Sequence, residues 1–169
     1  MIETSRLTLY PLTYDQLVKY QRNDLSLEAE LQLLPTPRTV SEALREALEQ
    51  TILPNVAANA NDYLFHTLWT AIRKADRQLV GDLCIVGIPN AAGEIEIGYG
   101  TYPAFCKQGL MTEMVGGILQ WAASQPAVKA VVASTDKDNT ASFAVLRKNQ
   151  FKQVNETATL FHWRRAVKG

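Results

Sequence analysis

The 169-residue sequence predicts a mixed α/β fold, built as one domain over residues 1–169. Three observations support this prediction. Helical patterns dominate the chain before residue 62, three strand patterns follow one another between residues 65 and 101, and a helix then joins two further strand patterns. A helix that connects two parallel strands makes a right-handed crossover. We therefore predict the order β-α-α-β-β-β-α-β-α-β-β, with one additional short helix near the start.

The chain opens with a predicted strand and a capped helix. Residues Arg6–Tyr10 alternate at the period of a strand, and Pro11 follows them. Thr13 is placed to accept a main-chain hydrogen bond at the start of a helix that reaches about Gln21.

Two more helices and a loop are predicted before residue 62. Residues 25–34 are apolar at mixed spacing and predict a short helix that ends at Pro35. Thr39–Glu42 has the spacing of a capping box, and the helix after it is expected to stop at Pro54. Asn55–Asp62 is polar and rich in alanine and asparagine, so we predict a mobile lid there.

Strand patterns dominate the middle of the chain. We predict three strands in succession, Phe65–Arg73, Gln78–Ile88 and Glu94–Thr101. A tight turn at Lys74–Asp76 joins the first two, and the turn-forming segment Pro89–Gly93 joins the second to the third.

The last third of the chain alternates between helix and strand. We predict a helix at Leu110–Ser124, a strand at Lys129–Ser134, a helix at Asn139–Asn149 and a hairpin from Phe151 onward. The pair Gly116–Gly117 lies inside the first of these helices, where each glycine costs about 1 kcal/mol relative to alanine. We interpret the pair as a close contact between helix and sheet.

The charge of the chain bears on its partners. Lysine and arginine together number 17, as do aspartate and glutamate, so the formal net charge is zero. A nucleic-acid-binding domain normally carries a basic excess, and we predict no nucleic-acid partner. His66 and His162 have no partner at metal-ligand spacing, so no metal site is predicted.

The cysteine content and the hydropathy of the sequence indicate the cellular compartment of the protein. Cys84 and Cys106 are the only cysteines, which favours a reducing compartment. The start of the chain lacks a secretory leader pattern, and no apolar run approaches membrane-spanning length. We predict a cytoplasmic protein without a membrane partner.

Four segments of the chain occur in the order and spacing of one known family. They are Glu3–Leu9, Glu96–Tyr99, Gln108–Glu113 and the Asn139–Ser142 element that leads to Phe151. In these segments the sequence resembles the GNAT superfamily of N-acetyltransferases, in particular its RimJ/RimL-like branch of ribosomal-protein amino-terminal acetylases. The resemblance spans essentially the whole chain and is weakest between residues 25 and 62.

The resemblance implies an enzyme that transfers an acetyl group from acetyl-CoA to a primary amine, either a protein N-terminal α-amine or a small-molecule amine. In that family the acyl donor lies where two parallel strands splay apart, here the predicted fourth and fifth strands. Main-chain amides of the turn into the next helix hold its pyrophosphate, because helix N-terminal N–H groups stabilise an anion. The cofactor-binding residues implied in this way are Lys107, Gln108, Gly109, Leu110, Met111, Thr112 and, for the pantetheine arm, Asn139.

Two residues depart from the family pattern Gln/Arg-x-x-Gly-x-Gly/Ala, which falls on residues 106–111. Cys106 replaces the basic or amide residue, a change that binding through the main chain tolerates. Met111 replaces the small residue, and its side chain is large enough to crowd the phosphates.

Glu96 is the predicted general base. An α-amine with a pKa near ~8 is about a tenth neutral at pH 7, whereas a lysine near ~10.4 is neutral less than about a thousandth of the time. A weak or water-mediated base therefore suffices for a peptide amino terminus. Glu94 shares the strand face and is the fallback, and for both residues an exposed strand position is the alternative interpretation.

Ser142 is the implied proton donor to the leaving thiolate. Many members of the superfamily use a tyrosine of the last helix, where this sequence has Leu146. In the ribosomal branch a serine of the Asn-x-x-Ser element is the proposed donor, and Ser142 matches it. A plain helix cap at Asn139, with Ser142 in the first turn, is the alternative. The resemblance also places a main-chain N–H near Gly100–Thr101 at the oxyanion.

A second hypothesis is a non-catalytic acyl-CoA-binding or regulatory module on the same fold, motivated by Cys106, Met111 and the missing tyrosine. The sequence leaves open the acceptor, the preferred acyl chain and whether Glu96 or water acts as the base. It also leaves open a homodimer, which relatives often form.

Overall fold

A single mixed sheet runs through the protein. The computed structural model describes residues 1–168, so Gly169, the last residue of the predicted domain, lies outside the described part of the chain. The strands in chain order are β1 (Ile2–Glu3), β2 (Leu7–Pro11), β3 (Leu68–Arg73), β4 (Gln78–Ile85), β5 (Glu94–Thr101), β6 (Ala130–Asp136), β7 (Lys152–Glu156) and β8 (Leu160–Ala166). Their order in the sheet is β1-β2-β3-β4-β5-β6-β8-β7, which confirms the predicted mixed α/β fold.

Helices connect these strands. They are α1 (Tyr14–Arg22), α2 (Ser26–Glu30), α3 (Glu42–Ala47), α4 (Leu53–Ala58), α5 (Leu110–Ser124) and α6 (Thr140–Lys148), with a π-helical turn at Leu48–Ile52 and 3-10 turns at Ala60–Phe65 and Pro103–Phe105. Thr13 caps α1 in a capping box with Gln16, which confirms the predicted cap. None of the helices within residues 1–168 combines the length and the apolar run that crossing a membrane requires.

The two faces of the sheet carry different helices. Helix α5 packs against β1, β2, β5 and β6 and against α6. At Gly117 the predicted close contact of helix and sheet is confirmed, because a Cβ there would lie 2.8 Å from Cδ1 of Leu9. Gly116 instead faces Asn149 after α6, so for this residue the interpretation is wrong. On the opposite face, α1 reaches β4 through a hydrogen bond from Tyr20 to Asp82.

The strands β5 and β6 run parallel but separate along their length. Their pairing consists of Glu94↔Ala130, Ile95↔Val131 and Glu96↔Val132. It stops there, although β5 continues to Thr101 and β6 to Asp136. The predicted splay of the fourth and fifth strands is confirmed, and these strands are β5 and β6 because the short β1 was not predicted.

The helix predicted to end at Pro54 continues to Ala58, so the lid predicted at Asn55–Asp62 is wrong. A proline interrupts an α-helix because it has no N–H and its ring clashes with a carbonyl four residues back. Here the π-turn Leu48–Ile52 precedes the proline, with the Leu53 N–H bonded to the carbonyl of Leu48. This wider turn accommodates the missing donor, and the helix continues.

Further element boundaries also differ from the prediction. The helix predicted at residues 25–34 is a single turn that ends at Glu30, ahead of the prolines, and Gln32 has a left-handed φ of 55°. Helix α3 is capped by Ser41, which accepts from the Leu44 N–H, instead of by Thr39. Both strands of the β3–β4 hairpin are shorter than predicted.

A buried carboxylate links α1 to the sheet. The hydroxyls of Tyr20 and Tyr102 both donate to Oδ2 of Asp82, at 2.5 Å and 3.2 Å. Burial raises the pKa of Asp82, and burial also raises the pKa of both tyrosines, with the Asp82 charge as the second cause. The carboxyl group of Asp82 therefore stays protonated to a higher pH in the folded protein than in the unfolded chain.

We expect Asp82→Asn to keep or increase stability at pH 7. Because the pKa of Asp82 is higher in the folded state, this group lowers the free energy of unfolding as pH rises above its unfolded value of about 4. Asparagine keeps an oxygen that accepts from both tyrosines and removes the charge, so urea unfolding should show a smaller loss of stability between about pH 4 and pH 7.

Asp82→Ala is the matched comparison. It leaves two buried hydroxyls without an acceptor and should lower the free energy of unfolding by about 3 kcal/mol. Equal destabilisation by both variants would show that the ionised carboxylate stabilises the fold.

Candidate active site

The turn between β5 and α5 presents unpaired main-chain donors. Lys107 and Gly109 have left-handed φ values of 63° and 73°, and Gly109 is the N-cap of α5. Within residues 1–168, the main-chain N–H groups of residues 107–112 donate to no acceptor. Donors of this kind, together with the positive end of the helix dipole, form an anion site that needs no particular side chain.

Arg6 holds this turn in place. Its Nη1 donates to the carbonyl of Gln108 at 2.9 Å, and its Nε lies 3.4 Å from Oε1 of Glu113 in the first turn of α5. Glu113 also accepts from the Thr4 hydroxyl and from the Arg6 N–H. The opening segment of the chain therefore fixes the conformation of the turn.

A second guanidinium lies beside the turn. Nη1 of Arg73 donates to Oε1 of Gln108 at 3.2 Å, and its Nη2 forms an ion pair with Asp76 at 2.6 Å. Both arginines are ion-paired, Arg6 with Glu113 and Arg73 with Asp76, so among residues 1–168 the exposed Lys107 adds the uncompensated positive charge beside the free N–H groups. The turn is thus electrostatically suited to a pyrophosphate, although the net charge of the chain is zero.

The expectation that Met111 crowds a phosphate is wrong. Its side chain is buried, with 6% exposure, and it lines a small cavity under the sheet with Val80, Thr101 and Met114. Gly81 makes room for it, since a Cβ at Gly81 would lie 3.3 Å from the Met111 Cε. Helix geometry directs this side chain into the core, while its N–H stays in the turn.

A cleft of about 230 Å³ occupies the gap between β5 and β6. Ile97, Gly98 and Tyr99 line one side, Ser134 to Asp136 line the other, and Asn139 and Ser142 of α6 lie at its end. The splay therefore brings the predicted Asn139 and Ser142 beside β5. Asn139 caps α6 by accepting from the Ser142 N–H at 3.3 Å, which is the alternative interpretation of that residue.

Main-chain donors also point into this gap. The Val86 N–H donates to the Glu96 carbonyl and the Tyr102 N–H to the Val80 carbonyl, so even-numbered residues of β5 bond to β4. Groups on odd-numbered residues face β6, because bonding directions alternate along a strand. Tyr99 and Thr101 lie beyond the last β6 pair. Their N–H groups therefore point at the gap, which places Thr101 of the predicted oxyanion pair there.

Glu96 lies on the other face of the sheet from Tyr99 and Ser142. Tyr99 pairs with Leu83, and Gly98 pairs with Cys84, so the two faces of β5 alternate in step with β4. Glu96 is exposed on the face of Gly98 and makes no side-chain hydrogen bond among residues 1–168. Glu94 instead forms an ion pair with Arg164 at 2.8 Å. The hydrogen bond from Arg164 lowers the pKa of Glu94, so Glu94 is a structural strand residue.

Three polar side chains at the cleft were not among the predicted site residues. The Tyr99 hydroxyl donates to the Ser142 carbonyl at 3.5 Å, and burial raises the pKa of Tyr99 to about 12. Ser134 Oγ and His162 Nδ1 lie 2.8 Å apart on the rim, on the face of Glu96. No local motif marks this pair, because residues 28 positions apart meet only through the β6–β8 register.

The Acetyltransferase (GNAT) domain family matches residues 6–152. The chain belongs to this family. Within residues 1–168, no three His, Cys, Asp or Glu side chains are grouped as metal ligands. The uncharacterized N-acetyltransferase YjdG of Bacillus subtilis is 30% identical over 95 residues, and the match covers 56% of each protein, so the chain spans about half the length of this curated relative.

Solved structures of GNAT enzymes share the fold. A structure of RimL, a ribosomal L7/L12 alpha-N-protein acetyltransferase in complex with coenzyme A, matches with a TM-score of 0.67 and 20% identity, over 96% of this chain and 95% of that one. Spermidine/spermine N-acetyltransferase SpeG of Vibrio cholerae matches with a TM-score of 0.66 and 11% identity, over 96% of this chain and 94% of that one.

We expect Met111→Ala to destabilise the protein without tightening coenzyme A binding. The substitution leaves a cavity in the core and should lower the free energy of unfolding by about 3 kcal/mol. Calorimetric titration with coenzyme A should give an affinity no higher than that of the parent, because the lost side chain does not face the turn.

Met114→Ala is the control, since Met114 is buried on the same helix outside the turn. It should cause a similar loss of stability. A selective gain in coenzyme A affinity for the Met111 variant would contradict the arrangement described above.

Proposed function

We propose that this protein transfers an acetyl group from acetyl-CoA to a primary amine in a ternary complex. The observation that supports this most directly is the position of the β5–β6 gap beside the amide-rich turn at residues 107–112. A pyrophosphate on the turn leaves a pantetheine arm to follow β5 into the gap. Family membership provides independent support.

The residues that hold the acyl donor act mainly through the main chain. Lys107, Gln108, Gly109, Leu110, Met111 and Thr112 contribute N–H groups, and Lys107 adds a cation. The side-chain amide of Asn139 has donors beyond the cap that it makes with its oxygen, and it faces the gap. Asn139 can therefore cap the helix and bind the arm at once.

Glu96 is the base in this proposal. Its carboxylate is exposed on the sheet face opposite α5 and α6, so an acceptor on that face meets the thioester through the gap. Gly98 and Gly100 lie on the same face of β5 and leave this approach free of side chains. The thioester carbonyl that the bound donor supplies would be polarised by the N–H groups of Tyr99 and Thr101.

Ser142 stabilises the leaving sulfur by hydrogen bonding, and Tyr99 does so once its single O–H turns from the Ser142 carbonyl to the sulfur. A thiol has a pKa of about 8.5, well below that of a serine hydroxyl and below the value of about 12 for Tyr99. Complete proton transfer from either hydroxyl to a thiolate is thus unfavourable. Glu96 accepts the first proton from the ammonium group before attack. The nitrogen then carries a second proton into the tetrahedral intermediate, and this proton ends on sulfur as the C–S bond breaks. The hydroxyls stabilise the negative charge on sulfur until then.

The acceptor is an amine that is partly neutral near pH 7, which favours the α-amine of a RimJ/RimL-like enzyme over a lysine side chain. We assign the activity to residues 1–169 as one domain and place it in the cytoplasm. The alternative of a non-catalytic acyl-CoA-binding module loses its Met111 argument, because that side chain is in the core. Cys106 is exposed at the turn and leaves the N–H groups accessible.

We expect Glu96→Gln to lower kcat/KM for an amino-terminal peptide by about 100-fold at pH 7, because the amine loses its proton acceptor. The deficit should shrink at about pH 9, where the amine is neutral without help. Thiol release from acetyl-CoA in the presence of the peptide measures both rates.

Glu94→Gln is the matched control, since Glu94 lies two residues away and is ion-paired. It should change the rate by no more than about twofold. Coenzyme A binding without turnover of any amine would instead establish the non-catalytic module.

A further inference from the structure

A second cavity lies on the acceptor face of the sheet. It encloses about 180 Å³ between the helical segment α3–α4 and the end of β4. Its lining includes Ala47, Thr51 and Asn55 from the helices, and Cys84 and Val86 from the sheet, with His66 between them. The π-turn Leu48–Ile52 shapes this wall, because it carries the helix past Pro54.

The cavity adjoins the proposed reaction centre. Cys84 is paired with Gly98, and a Cβ on Gly98 would lie 3.5 Å from the Cys84 Sγ. The Val86 N–H donates to the Glu96 carbonyl at 2.9 Å. The cavity residues Cys84 and Val86 therefore lie opposite Gly98 and Glu96 in the β4–β5 pairing, on the same face of the sheet.

The chemistry of the cavity is apolar apart from one ring and a few uncharged groups. Among the described residues, 1–168, no Asp, Glu, Lys or Arg lines the cavity. Both ring nitrogens of His66 are buried and have no hydrogen-bond partner among residues 1–168. A buried polar atom without a partner is unfavourable. Because neither nitrogen is exposed to the cavity, the ring has to rotate toward it before a ligand atom can bond a nitrogen and relieve this cost.

We propose that this cavity binds the substituent next to the acceptor amine and selects for uncharged, mainly apolar groups, with His66 bonding one polar atom of the group. This proposal rests on the proposed function and names its substrate class. A polyamine would place a second ammonium among apolar atoms with no carboxylate to pair with, which is strongly unfavourable. An amino terminus with an apolar first side chain meets the first requirement, and one with a phenolic side chain meets both.

The test compares peptides that begin with phenylalanine, tyrosine or lysine, together with spermidine, as acceptors. We expect kcat/KM to be at least 10-fold higher for the phenylalanine and tyrosine peptides than for the lysine peptide or spermidine. The kcat/KM of the tyrosine peptide should exceed that of the phenylalanine peptide by about fivefold, the effect of one additional hydrogen bond. His66→Phe should abolish this preference. Equal rates for spermidine and the phenylalanine peptide would overturn the proposal.

Filling the cavity provides the structural control. Ala47→Phe should raise KM for the phenylalanine peptide at least 10-fold and leave coenzyme A affinity unchanged, whereas Ala57→Phe, at an exposed position of α4 outside the lining, should change neither. If Ala47→Phe does not fold, Thr51→Phe serves the same purpose. An unchanged KM in the folded variant would refute the assignment.

Direct titration separates this proposal from the proposed function. The phenylalanine peptide should bind the coenzyme A-loaded protein, and Ala47→Phe should abolish that binding. If the parent protein binds the peptide, Ala47→Phe abolishes that binding and no amine is acetylated, the cavity assignment is supported and the transferase function is refuted. Turnover of spermidine with no binding of the apolar peptide would refute the cavity and support the transferase.

Discussion

The separation of β5 from β6 is the constraint on which the rest of the site depends. Parallel strands normally pair along their whole length, because unpaired main-chain groups inside a sheet are unfavourable. Here pairing stops at Glu96 and Val132, while β4 continues to bond β5 as far as Thr101 and β8 continues to bond β6 as far as Asp136. The outer neighbours keep both strands extended across the gap, and its donors stay available to a ligand.

The gap connects two faces with different roles. On one face, α5 and α6 bring the anion-binding turn, Asn139 and Ser142 to the cleft. On the other, α1 bonds β4 through Tyr20, the α3–α4 segment lies beside the end of β4, and Glu96 is exposed near an apolar cavity. Buried polar bonds fix this second wall, among them the Tyr20–Asp82 hydrogen bond and the ion pair of Arg38 with Glu28. An acyl donor and an amine can therefore approach one point from opposite sides.

A chain of zero net charge still forms a local site for a strongly anionic ligand. The positive potential comes from the oriented N–H groups of residues 107–112 and from Lys107, while the ion-paired Arg6 and Arg73 hold the turn by bonding Gln108. Such groups act at short range and need no charge excess over the whole molecule. The opening segment of the chain contributes to binding by fixing the turn, although it lies more than 100 positions away in sequence.

The sequence by itself determined the strand and helix succession from Glu94 onward, the turn at Gly109 and the cap at Asn139, because these features depend on local periodicity and on residues with restricted conformations. Tertiary structure decided what depends on packing between distant segments. The π-turn carries the helix past Pro54, Gly81 admits the Met111 side chain into the core, and the β6–β8 register joins Ser134 to His162. The His66 cavity likewise forms only when the α3–α4 helices meet the end of β4, since no short-range pattern encodes a contact between segments that far apart.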